Sequence, residues 1–476
     1  MTKEIAPSDH QRASRSSGCR TRFVIERLVA LGIVALVVRT WFCEGWFFPL
    51  VIPSGSMAET LMGPHRHVVC RDCGHAFVCG DEGRLGPRAV CPNCGYPKND
   101  VTNAPTLAGD RLLVGKTVFC PRGIRRWDLV TFRCPHDARQ RCIKRVVGLP
   151  GESILLHEGD VFVDGKIQRK PLWRQRTMAI SVYDADQPPR LVPTPPPRWQ
   201  GQRPDSSWGS AGGRFAHAAA PDESTIDWLI YTHHRRLPGR PGKASPVPIH
   251  DGYGYNQSLP LRVEDSHAVT DLLLSFRLLE MFGSGRLWIR VHDGHVSFHA
   301  SLDRETGRCK LFRDGTRLLV AEGKWPRQIE EPLVEFSSFD RQILLAVAGQ
   351  VVIDHACTPP KGSHRPSSQP LALGAQGVGL RIGQLRIARD IYYMPPPAAG
   401  VQWGCGEPFQ LRADEYYVLG DNSPLSQDSR TWPEGAGVGA KLMLGKPFLV
   451  FPPAKRIELG SWVFHVPDPT KIRYIY

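Results

Sequence analysis

The chain has 476 residues, 41% of them hydrophobic, so it exceeds one ordinary domain and holds enough apolar material for packed cores. Its formal charge of +14 raises the question of nucleic acid, yet the 60 lysines and arginines are scattered and no stretch reads as a recognition helix or an RNA-binding sheet. Nucleic acid is therefore excluded as a partner, and anionic membrane lipid answers the charge better.

Residues 1–22 are polar, with Lys3, Arg12, Arg15, Arg20 and Arg22 set against Glu4 and Asp9, an excess of positive charge that belongs in the cytoplasm. Residues 23–43 are largely apolar, without interruption from Leu28 to Val38, and Trp41, Phe42, Trp46, Phe47 and Phe48 follow like an interfacial belt. This predicts one transmembrane helix with Glu26, Arg27 and Arg39 at the interfaces. The chain is then a single-pass protein of the cytoplasmic (inner) membrane, N-terminus inside, with everything after residue 50 on the extracytoplasmic side. A cleaved signal peptide is the rival reading, but no small-x-small exit follows the apolar core.

Pro53-Ser54-Gly55-Ser56-Met57 comes next. Pro53 fixes φ and Gly55 tolerates almost any backbone angle, so a tight turn presents the Ser56 hydroxyl outward as a nucleophile, with Ser54 placed to donate to an oxyanion. Thirteen cysteines are present, and Cys70-x-x-Cys73-Gly74 with Cys91-x-x-Cys94-Gly95 form two knuckles spaced as in a zinc ribbon. Four thiolates leave no open position, so the Zn²⁺ would be structural; two disulfides are the alternative in an oxidising compartment. Cys79 is a spare thiol, and Cys120, Cys134 and Cys142 are close enough in sequence for a further pair.

Strand-like runs at Arg111–Val114 and Leu129–Phe132 lead to Ile143-Lys144-Arg145-Val146-Val147, which Gly148-Leu149-Pro150-Gly151 ends. Lys144 and Val146 share one face of this strand; burial of that face lowers the lysine pKa and makes Lys144 a base for Ser56. A hairpin follows about His157-Glu158-Gly159-Asp160. Residues 171–222 are rich in Pro, Gly, Ser and Arg and read as a linker. Many short strands fill 223–394, among them Thr225–Thr232, Asp271–Leu279, Leu287–Val291, Ile343–Val347 and Val378–Ile387, with turns at Asp293-Gly294 and Asp314-Gly315. They predict an inserted β-sandwich, closed by Pro395-Pro396-Pro397. Its late strands resemble laminin-G or concanavalin-like jelly rolls; it is a scaffold or protein-partner surface, or, as the sharper alternative, a glycan binder. Tyr416 to Gly420 then forms a buried strand entering a Gly-Asp-Asn turn, and Val438–Val450 closes the sheet.

Four blocks, taken in order, resemble the bacterial type I signal peptidases (leader peptidases), membrane-bound Ser-Lys proteases. They are Ile52–Met57, Gly109–Lys116, Cys142–Glu152, and Gly420-Asp421-Asn422-Ser423 with Ser426, Asp428, Ser429 and Arg430. The resemblance implies that Ser56 is the nucleophile, Lys144 the general base, and Ser54 with the Ser56 backbone N–H the oxyanion hole. It further implies that Ser426 orients the lysine, that Asp428 and Arg430 form a supporting pair, and that Ile52 and Ile143 line small apolar pockets for Ala-x-Ala. Secretory preproteins would be the substrates, and no cofactor would serve catalysis.

The expected architecture is mainly β: a transmembrane helix, an antiparallel catalytic core in two parts (50–170, with the ribbon-like insert at 66–98, and 405–476), and the sandwich between them. Three residues depart from the family pattern: Glu59 where proline is usual, Trp127 in place of the glycine of Arg-Gly-Asp, and Pro433 after Trp432 where glycine is expected. The rival from another class is a catalytically silent membrane adaptor using the ribbon and the sandwich. A self-cleaving repressor-type peptidase shares the chemistry but needs a DNA-binding domain where this chain has its apolar segment.

Overall fold

A computed structural model describes residues 14–476 except 83–85, 117–122, 192–194, 219–224, 237–243, 253, 259–265, 315–317, 327, 359–363, 395–399, 452–454, 460–461, 467–469, 471 and 476. The tail charges up to Arg12, Cys120, Gly315 and Pro395 to Pro397 thus lie outside the described residues. The first element is helix α1, Ser14–Val37, continued by a π-helical turn Val38–Cys43. No helix among the described residues is long and apolar enough to cross a membrane, which corrects the expected span over 23–43. The reason is local: α1 includes Arg20, Arg22, Glu26 and Arg27, and the uncharged run from Leu28 to Val38 falls well short of the roughly 20 residues a span requires. Phe23, Leu28, Leu31, Ile33, Val34 and Leu36 are all exposed.

An antiparallel eight-stranded sheet follows. Its order is Phe47–Val51, Arg111–Lys116, Met443–Phe451, Leu129–Cys134, Asp137–Gly148, Glu415–Leu419, Val438–Gly439, with Arg473–Tyr474 also on Met443–Phe451. The first and last parts of the chain therefore interleave in one sheet, and the long stretch between 149 and 414 connects two neighbouring inner strands of it, Asp137–Gly148 and Glu415–Leu419. The lysine strand pairs on one side with Leu129–Cys134 (Val130 opposite Lys144) and on the other with Glu415–Leu419 (Leu419 opposite Arg145). Cys134 and Cys142 form a disulfide across the first pair. The expected hairpin is present, with His157 opposite Asp160 and both turn residues, Glu158 and Gly159, at positive φ, as a two-residue hairpin turn demands.

A branched 13-stranded sheet occupies the middle of the chain. Its spine is two long strands, Leu272–His292 and Leu371–Arg389, paired along most of their lengths with three register shifts. The sequence suggested separate strands ending at Leu279 and starting at Leu287. The backbone instead stays paired through Gly283, at φ +92°, and Gly285, where a Cβ would lie 1.8 Å from the Gln376 carbonyl oxygen. Shifts of register bend both strands around one apolar core that includes Leu274, Phe276, Ile289, Phe298, Phe336, Leu373 and Ile387. The stretch 171–222 is not a linker: it holds the helix Leu172–Met178, and Ile180–Asp184 and Arg214–His217 both pair with Leu371–Arg389. The apolar residues Ile180, Val182 and Phe215, all buried, come in runs of four or five residues too short to stand out beside the Pro/Gly-rich stretch that follows Pro188.

This unit meets the segment that carries the His157–Asp160 hairpin, whose strands belong to a separate four-stranded sheet, through buried charge. Lys170 Nζ meets Asp340 and, at 2.8 Å, Asp390, with all three side chains no more than 5% exposed. Arg341 reaches Asp160 at 3.1 Å. Removing one member of such a buried group strands the others, at about 3–5 kcal/mol. Lys170→Met is expected to lower unfolding stability by that amount in urea titrations; a change within about 0.5 kcal/mol would show that the cluster does not secure the unit.

Candidate active site

Ser54 is extended (φ −145°, ψ 158°), and Gly55–Met57 form one turn of 3-10 helix. The turn is anchored from below, since Ile52 N–H donates to the Asp110 carbonyl at 2.9 Å and Met62 N–H to the Asp110 carboxylate at 3.0 Å. Lys144 arrives from the facing strand with its Nζ 2.7 Å from Ser56 Oγ, although 88 positions separate the two in sequence. The lysine is 5% exposed and Val146 on the same face is wholly buried. Burial pushes the Lys144 pKa down to about 8; Asp428 opposes this, Arg430 adds to it, and Asp421 and Glu82 oppose it more weakly. Ser54 Oγ lies 3.3 Å from Ser56 Oγ.

Asp428 and Arg430 form a two-pronged pair, Nε to Oδ1 at 2.8 Å and Nη2 to Oδ2 at 2.7 Å, with neither side chain exposed. Burial alone would raise the Asp428 pKa; Arg430 and the Gly420 N–H outweigh it and hold the carboxyl low. Ser426 is 1% exposed but its hydroxyl makes no hydrogen bond, so it does not hold the lysine in this structure. It lies close by, for a Cβ on Gly420 would meet both Ser426 Oγ and the Ser56 carbonyl oxygen. Ile52 and Ile143 share an apolar cluster with Met57, Leu61, Leu112 and Leu129. At 1% and 5% exposure both are buried against the serine turn.

Several residues around the turn were not singled out as site residues. Asn422, read only as a turn former, donates to the Gly55 carbonyl at 2.9 Å. Asp421 takes Arg145 in two hydrogen bonds of 2.8 and 2.5 Å. Glu82, just past the first ribbon knuckle, accepts the Gly55 N–H, and Tyr255, from the large insert, donates to the Pro64 carbonyl at 3.0 Å. Nothing local marks Glu82 or Tyr255, because each acts only through a fold that brings it from 27 or about 200 positions away.

The four knuckle cysteines lie together, their sulfurs all within 4.8 Å of one another. Cys70 to Cys94 is 3.6 Å and Cys73 to Cys91 is 3.7 Å. A tetrahedral site with Zn–S bonds of about 2.3 Å places its sulfurs about 3.8 Å apart, so the donor set fits a structural zinc. Gly74 and Gly95 adopt φ +78° and +74°, and each donates its N–H to the carbonyl of the first cysteine in its knuckle. Cys79 is buried apart from the four, with its thiol pushed up to about 12 by burial.

Residues 96–195, which include Lys144 but not Ser56, match the family described as signal peptidase, peptidase S26. Signal peptidase I V of Bacillus subtilis is 38% identical over 77 residues, 16% of this chain and 45% of that protein. Signal peptidase I of Rickettsia bellii is 26% identical over 138 residues, 29% of this chain and 38% of its own. A probable signal peptidase I-2 of Synechocystis is 37% identical over 70 residues, 13% of this chain and 32% of that protein. The chain thus spans less than half the length of these curated relatives. It carries a signal-peptidase segment, and that segment supports a peptidase, a hydrolase. Among solved structures, a carbohydrate-binding module CBM66 from Bacillus subtilis aligns with 40% of this chain and 95% of its own at 10% identity and a TM-score of 0.26. SCLam, a non-specific endo-β-1,3(4)-glucanase from family GH16, aligns with 51% of this chain and 97% of its own at 9% identity and a TM-score of 0.28. Likenesses this slight carry no argument about the chain.

Lys144 is expected to titrate near pH 8 when its amine is followed by NMR, apart from ordinary lysines near 10.4. A midpoint above 10 would show that the amine is not desolvated.

Proposed function

We propose that the protein is a membrane-attached serine endopeptidase that removes N-terminal signal peptides from exported preproteins, cutting after small residues in an Ala-x-Ala pattern. The observation that carries this reading is the 2.7 Å contact between a buried, pKa-lowered Lys144 and Ser56. Neutral Lys144 takes the Ser56 proton as Oγ bonds to the scissile carbonyl carbon, and the resulting oxyanion accepts from the Ser56 N–H and from Ser54 once its hydroxyl turns away from Ser56. The ammonium then gives its proton to the departing amine. Lys144, neutral again, deprotonates the water that attacks the acyl ester and frees Ser56. Asp428 and Arg430 support the lysine's surroundings, while the large unit serves as a scaffold whose face is open to a protein or glycan partner.

Attachment to lipid would use the exposed apolar residues from Phe23 to Val38, with the catalytic unit outside the cytoplasm. The Cys134–Cys142 disulfide supports an oxidising compartment. The four knuckle cysteines would hold one Zn²⁺ that fixes a module too small for a core of its own.

Purified protein in detergent is expected to cleave a secretory preprotein after Ala-x-Ala, with the new N-terminus read by mass spectrometry, and Ser56→Ala or Lys144→Ala to lower kcat by at least about 10³-fold. Because the base must be neutral, kcat/KM should rise as pH rises through about 8. A folded wild type that cleaves nothing, or Ser56→Ala that cleaves as well, favours the adaptor reading instead. Native mass spectrometry should find one zinc per chain, lost in Cys73→Ser together with several degrees of melting temperature; a zinc-free chain of unchanged stability refutes the metal site.

A further inference from the structure

We infer that Asn256, supplied by the large insert, is a positioning residue for the oxyanion donor of the serine turn; this rests on the endopeptidase reading above. A peptide group is planar and trans, so its carbonyl and N–H point in opposite directions. Holding the Gly55 carbonyl therefore fixes where the Ser56 N–H points. That carbonyl accepts from Asn422 Nδ2 at 2.9 Å, and the Asn422 backbone N–H also donates to the Ser56 carbonyl at 3.1 Å. One residue thus holds two successive carbonyls of the turn.

Asn422 can do this only with its amide nitrogen facing Gly55, since the opposite orientation would set two carbonyl oxygens against each other. The Gly55 carbonyl itself selects that orientation, and Asn256 holds the Asn422 amide in its place and plane. Its Nδ2 donates to Asn422 Oδ1 and its Oδ1 accepts from Asn422 Nδ2, both at 2.7 Å. Asn422 is fully buried and Asn256 is 5% exposed, so water is not at hand to replace either bond.

The segment bearing Asn256 is itself pinned against the nucleophile's neighbour. The Tyr255 ring fills a slot between Gly55 and Gly80, where a Cβ would come within 2.1 and 2.4 Å of it. Its hydroxyl donates to the Pro64 carbonyl at 3.0 Å and lies 3.2 Å from Glu82, which accepts the Gly55 N–H. Gln257 fastens the same 3-10 turn, Tyr255–Ser258, to the ribbon through the Val90 N–H and carbonyl at 2.6 and 2.8 Å. The large insert therefore contributes to the arrangement of the catalytic turn, not only to the bulk of the molecule.

An oxyanion donor that is lost outright costs about 10²–10³-fold in kcat, and one that is only loosened should cost less. Asn256→Ala is expected to lower kcat about 10- to 100-fold with KM within about twofold and the pH midpoint near 8 unmoved, because neither Lys144 nor the substrate groove is altered. Asn256→Ser, whose hydroxyl keeps one donor for Asn422, should fall between, and carries the same comparison if Asn256→Ala does not fold. Gln257→Ala removes only the tie between that turn and the ribbon, leaves the Asn256–Asn422 bonds in place, and should lower kcat by clearly less than Asn256→Ala. Equal losses in Asn256→Ala and Gln257→Ala, a loss confined to KM, or unchanged kcat in a cleaving protein would each overturn the inference. Absence of cleavage in the wild type would instead strike the endopeptidase reading, so the two failures are distinguishable.

Discussion

The structure depends on keeping an amine dry beside a serine. Moving Lys144 from the ordinary 10.5 to about 8 costs roughly 3 kcal/mol, at about 1.4 kcal/mol per pKa unit. The sign is unfavourable to folding: with its folded pKa below its unfolded one, the lysine draws stability away as pH falls from about 10.5 through 8, and the full cost stands below that. Carboxylates nearby would cancel the shift if they were free to pair with the amine. They are not: Asp428 is taken by Arg430 and Asp421 by Arg145, each through two charge-assisted hydrogen bonds. Asp428 and Asp421 thus each bring their own cation, Glu82 adds only a weak pull, and burial dominates.

Such an arrangement requires that nothing around the turn moves. The sheet supplies half of the rigidity, since the lysine strand is paired on both sides and buried from Ile143 to Gly148. The other half comes from segments that arrive from elsewhere: Asn422 on the Gly55 carbonyl, Glu82 on the Gly55 N–H, and the Tyr255 ring against Gly55 itself. The Gly55 N–H is thereby committed to Glu82 and its C=O to Asn422 and to the Ala58 N–H of the turn itself, while the Tyr255 ring packs against the residue. Loop backbone left to water would sample several orientations; this one does not have the choice.

The chemistry-bearing residues were legible because each depends on a short pattern. Pro-Ser-Gly-Ser gives a tight turn, β-branched residues around Lys144 give a buried strand, and paired Cys-x-x-Cys-Gly knuckles fold alike wherever they sit. What was not legible depends on long-range pairing. The strands Ile180–Asp184 and Arg214–His217 are only four or five residues long, and both take their place in the sheet by pairing with Leu371–Arg389, far along the chain. Glu82, Tyr255 and Asn256 have no local signature at all. The apolar segment misled in the opposite way, since its hydropathy suggested a span while its charges confine the uncharged run to Leu28–Val38. Ile52 and Ile143 were named by analogy as pocket residues, and the structure places both in one apolar cluster with Met57 and Leu61 of the serine segment.

Two of the three departures from the family pattern have a shared physical basis. Trp127 stands where glycine is expected, and its φ of +70° is a conformation glycine adopts freely and tryptophan does not, at a cost of order 1–3 kcal/mol. What holds it is the docked insert's anchor: the Lys170 ammonium, bound to Asp340 and Asp390, sits 4.8 Å above the Trp127 ring, and the Trp127 carbonyl accepts from Arg145 at 2.8 Å. Glu59, where proline is usual, is half-buried with its pKa raised by desolvation, and the cation that opposes this is Arg389, at the end of the insert's long strand. Pro433, which touches neither, is exposed. Residues that would burden a peptidase core standing alone are thus the ones that the large unit compensates. The unusual residues and the unusual domain belong to one interface, which is the interface that also carries Asn256 to the turn that bears Ser56.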